Sequence, residues 1–197
     1  MKVIGFHIIM CFYGFWLPND ERGSGSDWVR NKGLLKYGPA NPVDGRRSVA
    51  GKPFDPQVRR LARSELRCPH VELNGTQALS VAKGFRNEIT HYGGTIHALT
   101  ILPSHTHLVV PIHRYDVRRF CGRLKGAATK QLNADGLHPL AGFREGDGSV
   151  PSPWARLPWV VYLFTDDDMV RSIDYVEKNP LKEGKPIQKW HFVTPWR

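Results

Sequence analysis

The stretch TIHALTILPSHTHLVVPI, residues 95–112, decides the fold. Apolar and polar residues alternate on both sides of Pro103-Ser104, as they do in strands that bury one face. Proline and serine are common in tight connections. The pattern therefore predicts an antiparallel hairpin built from strands 95–102 and 105–112.

Further elements extend outward from this hairpin, and their order sets the fold class. Apolar residues at three- and four-residue spacing predict helices, whereas β-branched and aromatic runs predict strands. The other predicted elements are strands at 3–13 and 159–164 and helices at 54–67, 76–92, 115–134 and 167–179. Because the first long helix crosses over a shared sheet, we expect an α+β fold, a ferredoxin-like antiparallel sheet with helices on one face.

Residues 1–197 are expected to form a single domain. Its less regular parts are an irregular loop at 18–56, a Gly/Pro-rich insert at 136–158 and a C-terminal tail at 185–197. The apolar run at 3–17 is too short to span a bilayer and is interrupted by His7. We therefore interpret it as a buried strand and not as a secretory signal.

Charge is the strongest signal in the composition. The 197 residues include 28 Lys and Arg against 18 Asp and Glu, a formal net charge of +10. This excess favours a polyanionic partner, nucleic acid before an anionic membrane surface, although a merely soluble basic protein can carry it too. The three cysteines lie far apart and predict neither a disulfide scaffold nor a thiolate zinc site. We expect a cytoplasmic, nucleoid-associated protein without membrane contact.

Two histidines at the start of the second hairpin strand are candidate ligands. Side chains alternate along a strand, so His105 and His107 point to the same face of the sheet. Two imidazoles so placed can hold one divalent ion or attract a phosphate. A pair of ordinary surface histidines has the same spacing, so the pattern alone leaves both readings open.

The last predicted helix adds a tyrosine and an asparagine. Tyr175 and Asn179 are four residues apart and project from one helical face. Thr165 can cap this helix, with Asp168 three residues later. Pro180 disfavours helical geometry at the residue before it, so we expect Asn179 on a frayed last turn with its amide oxygen free to reach a ligand. Periodicity alone also allows a tyrosine at the edge of the core, and nothing in it makes this helix face the histidines.

Three segments resemble a known family. The string ILPSHTHLVV at 101–110 resembles the HUH motif of single-tyrosine transposases, with Ser104 where this family has Asn or Asp. The string YVEKNPLKEG at 175–184 resembles their catalytic-helix signature, a tyrosine four residues before Asn-Pro. Phe6-His7 and the string YGFWLPNDERG at 13–23 are similar to the first strand and loop of the REP-associated tyrosine transposase branch. The insert at 136–158 is longer than a minimal member would carry.

The resemblance implies a DNA transposase of HUH transposase-like fold. Tyr175 would attack single-stranded DNA beside a hairpin and form a 5′-phosphotyrosine intermediate. His105, His107 and Asn179 would hold Mg²⁺ or Mn²⁺, and the protein would act as a monomer or a homodimer. The residues expected to contact DNA are Asn19, Arg22, Arg114, Arg118, Arg119, Arg123, Lys125, Lys130 and Lys182.

Other functions compete with this interpretation. A domesticated relative could bind single-stranded or hairpin nucleic acid without cleaving it, although a pure binder has no need of the His105, His107, Tyr175 and Asn179 set. A histidine-dependent phosphodiesterase of the class with two His-x-Thr/Ser motifs is disfavoured, because the chain contains no such motif. A secreted basic protein is a more distant alternative.

Overall fold

The computed structural model describes residues 1–17, 32–38 and 55–197. Four strands and four α-helices follow one another along the described chain. They are β1 (Gly5–Cys11), α1 (Pro56–Ser64), α2 (Gly75–Tyr92), β2 (Ala98–Ile101), β3 (His105–Pro111), α3 (Val117–Ala134), β4 (Trp159–Leu163) and α4 (Asp166–Lys178). Two 3₁₀ helices, Lys32–Tyr37 and Asn179–Glu183, complete the set. No helix in the described ranges is long and apolar enough to cross a membrane.

The strands form one antiparallel sheet in the order β2-β3-β1-β4. The predicted hairpin is present as β2 and β3, with Thr100 opposite His107. Strand β1 lies in the middle of the sheet and pairs with both β3 and β4. The order follows from two helical crossovers, α2 between β1 and β2 and α3 between β3 and β4, as in a split βαβ motif. The α+β fold class is confirmed.

The main core lies between the sheet and the helices α2 and α3. Ile8, Met10, Leu108 and Val110 project from the sheet into this core, where they pack with buried side chains of both helices. The two helices approach closely at Gly84, because a Cβ atom built there would lie 2.5 Å from the Cα of Ala128. Close approach of this kind requires glycine at the contact.

Helix α4 covers part of the opposite face of the sheet, where the sequence led us to expect no helix. Its buried residues Met169 and Val176 form a second cluster with Ala98, Val109 and Leu163 of the sheet. These strand residues alternate with those of the main core. The outward face of the sheet is apolar enough at these positions to hold an amphipathic helix, so helices lie on both faces.

The C-terminal tail runs along the free edge of β2. The side-chain amide of Gln188 donates to the carbonyl of Ile101 and its oxygen accepts from the Ile101 amide, both at 2.8 Å. Further along, Trp190 Nε1 donates to the Leu99 carbonyl, and the Thr194 amide donates to the Ile96 carbonyl. The tail thereby satisfies backbone groups that an edge strand otherwise exposes.

Candidate active site

The face of the sheet beneath α4 carries three histidines in contact. His105 and His107 lie on this face as the alternation predicts, with ring centroids 4.8 Å apart. His7 reaches them from the neighbouring strand, because the pairing of Ile9 with His107 puts odd-numbered residues of β1 on the same face. Its Nε2 lies 3.0 Å from Nδ1 of His107, a hydrogen bond between the two rings.

Tyr175 lies against this cluster. Its ring centroid is 5.7 Å from those of both His7 and His107. Helix α4 is fixed over the site because Thr100, which pairs with His107 across the hairpin, donates its hydroxyl to the Val176 carbonyl at 2.7 Å. Tyr175 remains 42% exposed, so it is accessible to a large substrate.

Lys182 also reaches the site. Its Nζ lies 3.8 Å from the centroid of the Tyr175 ring, within the range of a cation–π contact. The 3₁₀ helix that follows α4 carries this lysine back over the tyrosine. It is the one predicted DNA contact that the described residues bring to the tyrosine.

The two inner histidines are held neutral. Burial lowers the pKa of His107 from 6.5 to about 2, and the neighbouring imidazoles of His105 and His7 add to this shift. The ammonium of Lys182 acts in the same direction. Burial alone lowers the pKa of His7 to about 4. Both rings therefore keep a nitrogen lone pair at neutral pH, which is the form that binds a metal ion.

His105 sits at the outer end of the cluster. Its ring stacks on Phe15 at a centroid distance of 5.1 Å, and its Nδ1 lies 3.0 Å from the hydroxyl of Ser104. Ser104 occupies the position at which the family that the sequence resembles usually has Asn or Asp. The Ser104 hydroxyl makes a polar contact with Nδ1 of His105 and so fixes the orientation of this imidazole.

Asn179 adopts a different local structure from the one expected. It has helical angles, φ −55° and ψ −39°, and is only 5% exposed. The chain does not fray before Pro180 but continues as a 3₁₀ helix, in which proline occupies an early position where its missing amide costs nothing. The Asn179 amide donates to Val176, and its side chain makes no hydrogen bond within the described ranges.

A cleft of about 400 Å³ opens beside the cluster, between β4 and α4. Its lining residues are His7, Val161, Tyr162, Leu163, Asp168, Arg171, Ser172 and Tyr175. Arg171, which the sequence analysis did not identify, lines the cleft in an ion pair with Asp168 at 2.7 Å, so the pair adds no net charge there. No group of three or more His, Cys, Asp or Glu in the described part of the chain is arranged to hold a metal ion.

The basic helix α3 lies on the other side of the sheet. Its buried side chains belong to the main core, whereas the three histidines face α4. Arg118, Arg119 and Lys130 are exposed there, and Arg114 stacks near Tyr115 at 5.1 Å. These cations do not line the tyrosine cleft.

Two of the predicted contacts on α3 are engaged within the protein. Lys125 is only 9% exposed, and its ammonium donates to the carbonyls of Ala155 and Arg156. The expected DNA contact of Lys125 is therefore wrong. Arg123 is paired with Glu88. Asn19 and Arg22 lie outside the described residues.

The solved structures that are similar to this chain include the following two. One is "Structure of the REP associates tyrosine transposase bound to a REP hairpin", with a TM-score of 0.48 and 15% identity over 93% of this chain and 70% of that one. The other is a putative transposase from Deinococcus radiodurans R1, with a TM-score of 0.44 and 12% identity over 94% of each chain. No protein-family model matches the chain, and no curated protein matches it.

Proposed function

We propose that this protein is a transposase-like enzyme that cleaves and rejoins single-stranded DNA beside a hairpin through Tyr175. One observation carries the proposal: the Tyr175 ring packs 5.7 Å from the ring of His107, a histidine of a different element held neutral by burial. A structural tyrosine would not need two imidazoles and a lysine around an exposed side chain. The net charge of +10 supplies long-range attraction for DNA.

The covalent step would exchange one phosphate ester for another. The Oη atom of Tyr175 bonds to the scissile phosphorus, and the bond from phosphorus to the 3′ oxygen breaks. The phenol loses its proton and the departing 3′ oxygen gains one, which leaves a 5′-phosphotyrosine and a free 3′-OH. Because no ester is hydrolysed, the reverse attack by a 3′-OH rejoins DNA without another energy source. Lys182 contributes positive charge beside the phenol, where the phosphate would approach.

We further propose that the site binds a divalent ion, Mg²⁺ or Mn²⁺. His105, His107 and Asn179 would hold it, with two imidazole nitrogens and one amide oxygen. Bound there, the ion would polarise the scissile phosphate. With Nδ1–H of His107 donating to Nε2 of His7, Nε2 of His107 would keep its lone pair and act as the ligating atom. A hydrogen bond of this kind fixes the orientation of a metal-binding imidazole.

The test is formation of a covalent adduct. The full-length protein is incubated with single-stranded DNA containing a hairpin and with Mg²⁺ or Mn²⁺, and denaturing gels are used to detect protein joined to DNA. Tyr175→Phe should abolish the adduct and leave DNA affinity within a few-fold. Tyr162→Phe is the matched control, because Tyr162 is an exposed tyrosine that lines the same cleft. An adduct that survives Tyr175→Phe would show that another residue is the nucleophile.

A further inference from the structure

A second groove lies between α2 and the C-terminal tail, on the side of the sheet away from the histidines. Its volume is about 650 Å³. One wall is the outer surface of α2, and the other is the part of the C-terminal tail that runs along the edge of β2. The tail is fixed there, because Trp190 Nε1 donates to the Leu99 carbonyl at 3.1 Å and Gln188 pairs with Ile101. The tail wall of the groove is therefore held in a fixed position by these hydrogen bonds.

Positive groups stand on both walls of this groove. Lys83 and Arg86 project from α2, and Lys189 comes from the tail. The one acidic residue among the lining residues is Asp135, whose Oδ2 lies 3.6 Å from Lys83 Nζ. The acid offsets one cation at most, and the groove keeps a net positive charge. A polyanion is the complementary occupant.

Aromatic and aliphatic side chains line the groove together with these cations. Leu79 is 54% exposed on the wall that α2 forms. Trp190 and Phe192 line the same groove from the tail, with ring centroids 6.4 Å apart, and both are partly buried against the main core. Aromatic rings interleaved with cations are the arrangement by which proteins bind unpaired bases and the phosphates that join them.

We propose that this groove binds a single-stranded segment of the DNA, with phosphates on Arg86 and Lys189 and bases against Leu79, Trp190 and Phe192. The choice of DNA as the nucleic acid rests on the proposed function. The groove is separate from the tyrosine cleft, since α2 and α4 lie on opposite faces of the sheet. It would hold DNA that flanks the segment being cleaved.

The test is a comparison of two charge-matched double variants of the full-length chain. Binding of a fluorescein-labelled oligothymidylate of about 12 nucleotides is followed by anisotropy in EDTA, so that affinity is measured without cleavage. Arg86→Glu with Lys189→Glu alters the groove. Arg60→Glu with Arg144→Glu makes the same change of charge at exposed sites outside it. Thermal unfolding checks that both variants fold.

The groove variant should bind at least about 10-fold more weakly, and the control should change by less than about 3-fold. The slope of log affinity against log salt should fall by about 1.4 in the groove variant, which corresponds to two lost phosphate contacts on a single strand. An abasic oligomer of equal length should also bind at least about 10-fold more weakly than oligothymidylate, because it cannot stack.

Equal losses in the two double variants would overturn the inference, since general charge would then explain binding. It would also be overturned if a labelled acidic peptide bound the groove and oligothymidylate did not, because the occupant would then be a protein. Adduct formation in Mg²⁺ is measured separately on the same proteins. Groove-dependent binding without any adduct would support this inference and contradict the proposed function, whereas an adduct with groove-independent binding would do the reverse.

Discussion

The buried pair of His7 and His107 makes the stability of the fold sensitive to acid. Their pKa values in the folded protein are lowered to about 4 and about 2 from the ordinary value of 6.5. As the pH falls below the ordinary value, the unfolded chain binds protons that the folded chain does not, and the free energy of unfolding decreases. The stability is fully present above the unfolded pKa and is lost as the pH falls toward the folded values.

The size of this effect follows from the pKa shifts. Each histidine removes about 1.4 kcal/mol of stability per pH unit once it is protonated in the unfolded chain only. Between about pH 7.5 and about pH 5 this amounts to about 2 kcal/mol for each residue. The pair together would lower the free energy of unfolding by about 4 kcal/mol, a large share of the roughly 5–15 kcal/mol of a typical domain.

His7→Phe isolates half of this effect. The variant loses the bond between His7 Nε2 and His107 Nδ1, which should cost about 1–3 kcal/mol at neutral pH. Because phenylalanine does not titrate, the stability difference between wild type and variant should shrink by about 2 kcal/mol at about pH 5. Urea unfolding in EDTA at both pH values measures it, and His91→Phe, at an exposed histidine, serves as the control. A difference that stays constant with pH would refute the burial of a neutral His7.

Two further predictions concern stability and are measured by thermal unfolding. Gln188→Ala should lose both contacts to Ile101 and lower the free energy of unfolding by about 1–3 kcal/mol, and an unchanged melting temperature would show that the tail does not protect the edge of β2. Gly84→Ala should destabilise by at least about 1–3 kcal/mol because its Cβ would collide with Ala128, whereas Gly122→Ala, with no atom within 4 Å of the new Cβ, should stabilise by about 0.5–1 kcal/mol. Equal effects of the two alanines would contradict the close helix packing.

Local patterns in the sequence predicted most of the fold. Alternation on the two sides of Pro103-Ser104 specified both strands of the hairpin and the common face of His105 and His107. The apolar stripe of Met169, Ile173 and Val176 was sufficient to place a helix, but not to say which face of the sheet it would cover. That choice depends on apolar positions of distant strands, which no local period reveals.

The missed parts of the site depend on long-range pairing. In the sequence, His7 was noted as an interruption of an apolar run and as part of the resemblance at Phe6-His7, but not as a site residue. Its contact with His107 follows from the register between β1 and β3. The burial of Lys125, in contrast, was visible in the sequence. Lys125 falls four residues after Cys121 and three before Ala128, so it lies on the apolar stripe of α3. Its aliphatic side-chain carbons are therefore buried, and its ammonium needs a hydrogen-bond partner within the protein.

The parity of strand β3 links the core to the proposed chemistry. Leu108 and Val110 must face α2 and α3 to complete the main core, and this forces His105 and His107 onto the opposite face. A register slip of one residue would bury both imidazoles against the apolar side chains of α2 and α3 and move Leu108 and Val110 out of the main core. Losing the burial of these two side chains would destabilise the fold, so this register is disfavoured. The same parity acts on β1, where Ile8 and Met10 enter the core and His7 is left to face His107. The packing of the main core therefore creates the histidine cluster, and the docking of α4 through Thr100 is the additional step that brings Tyr175 to it.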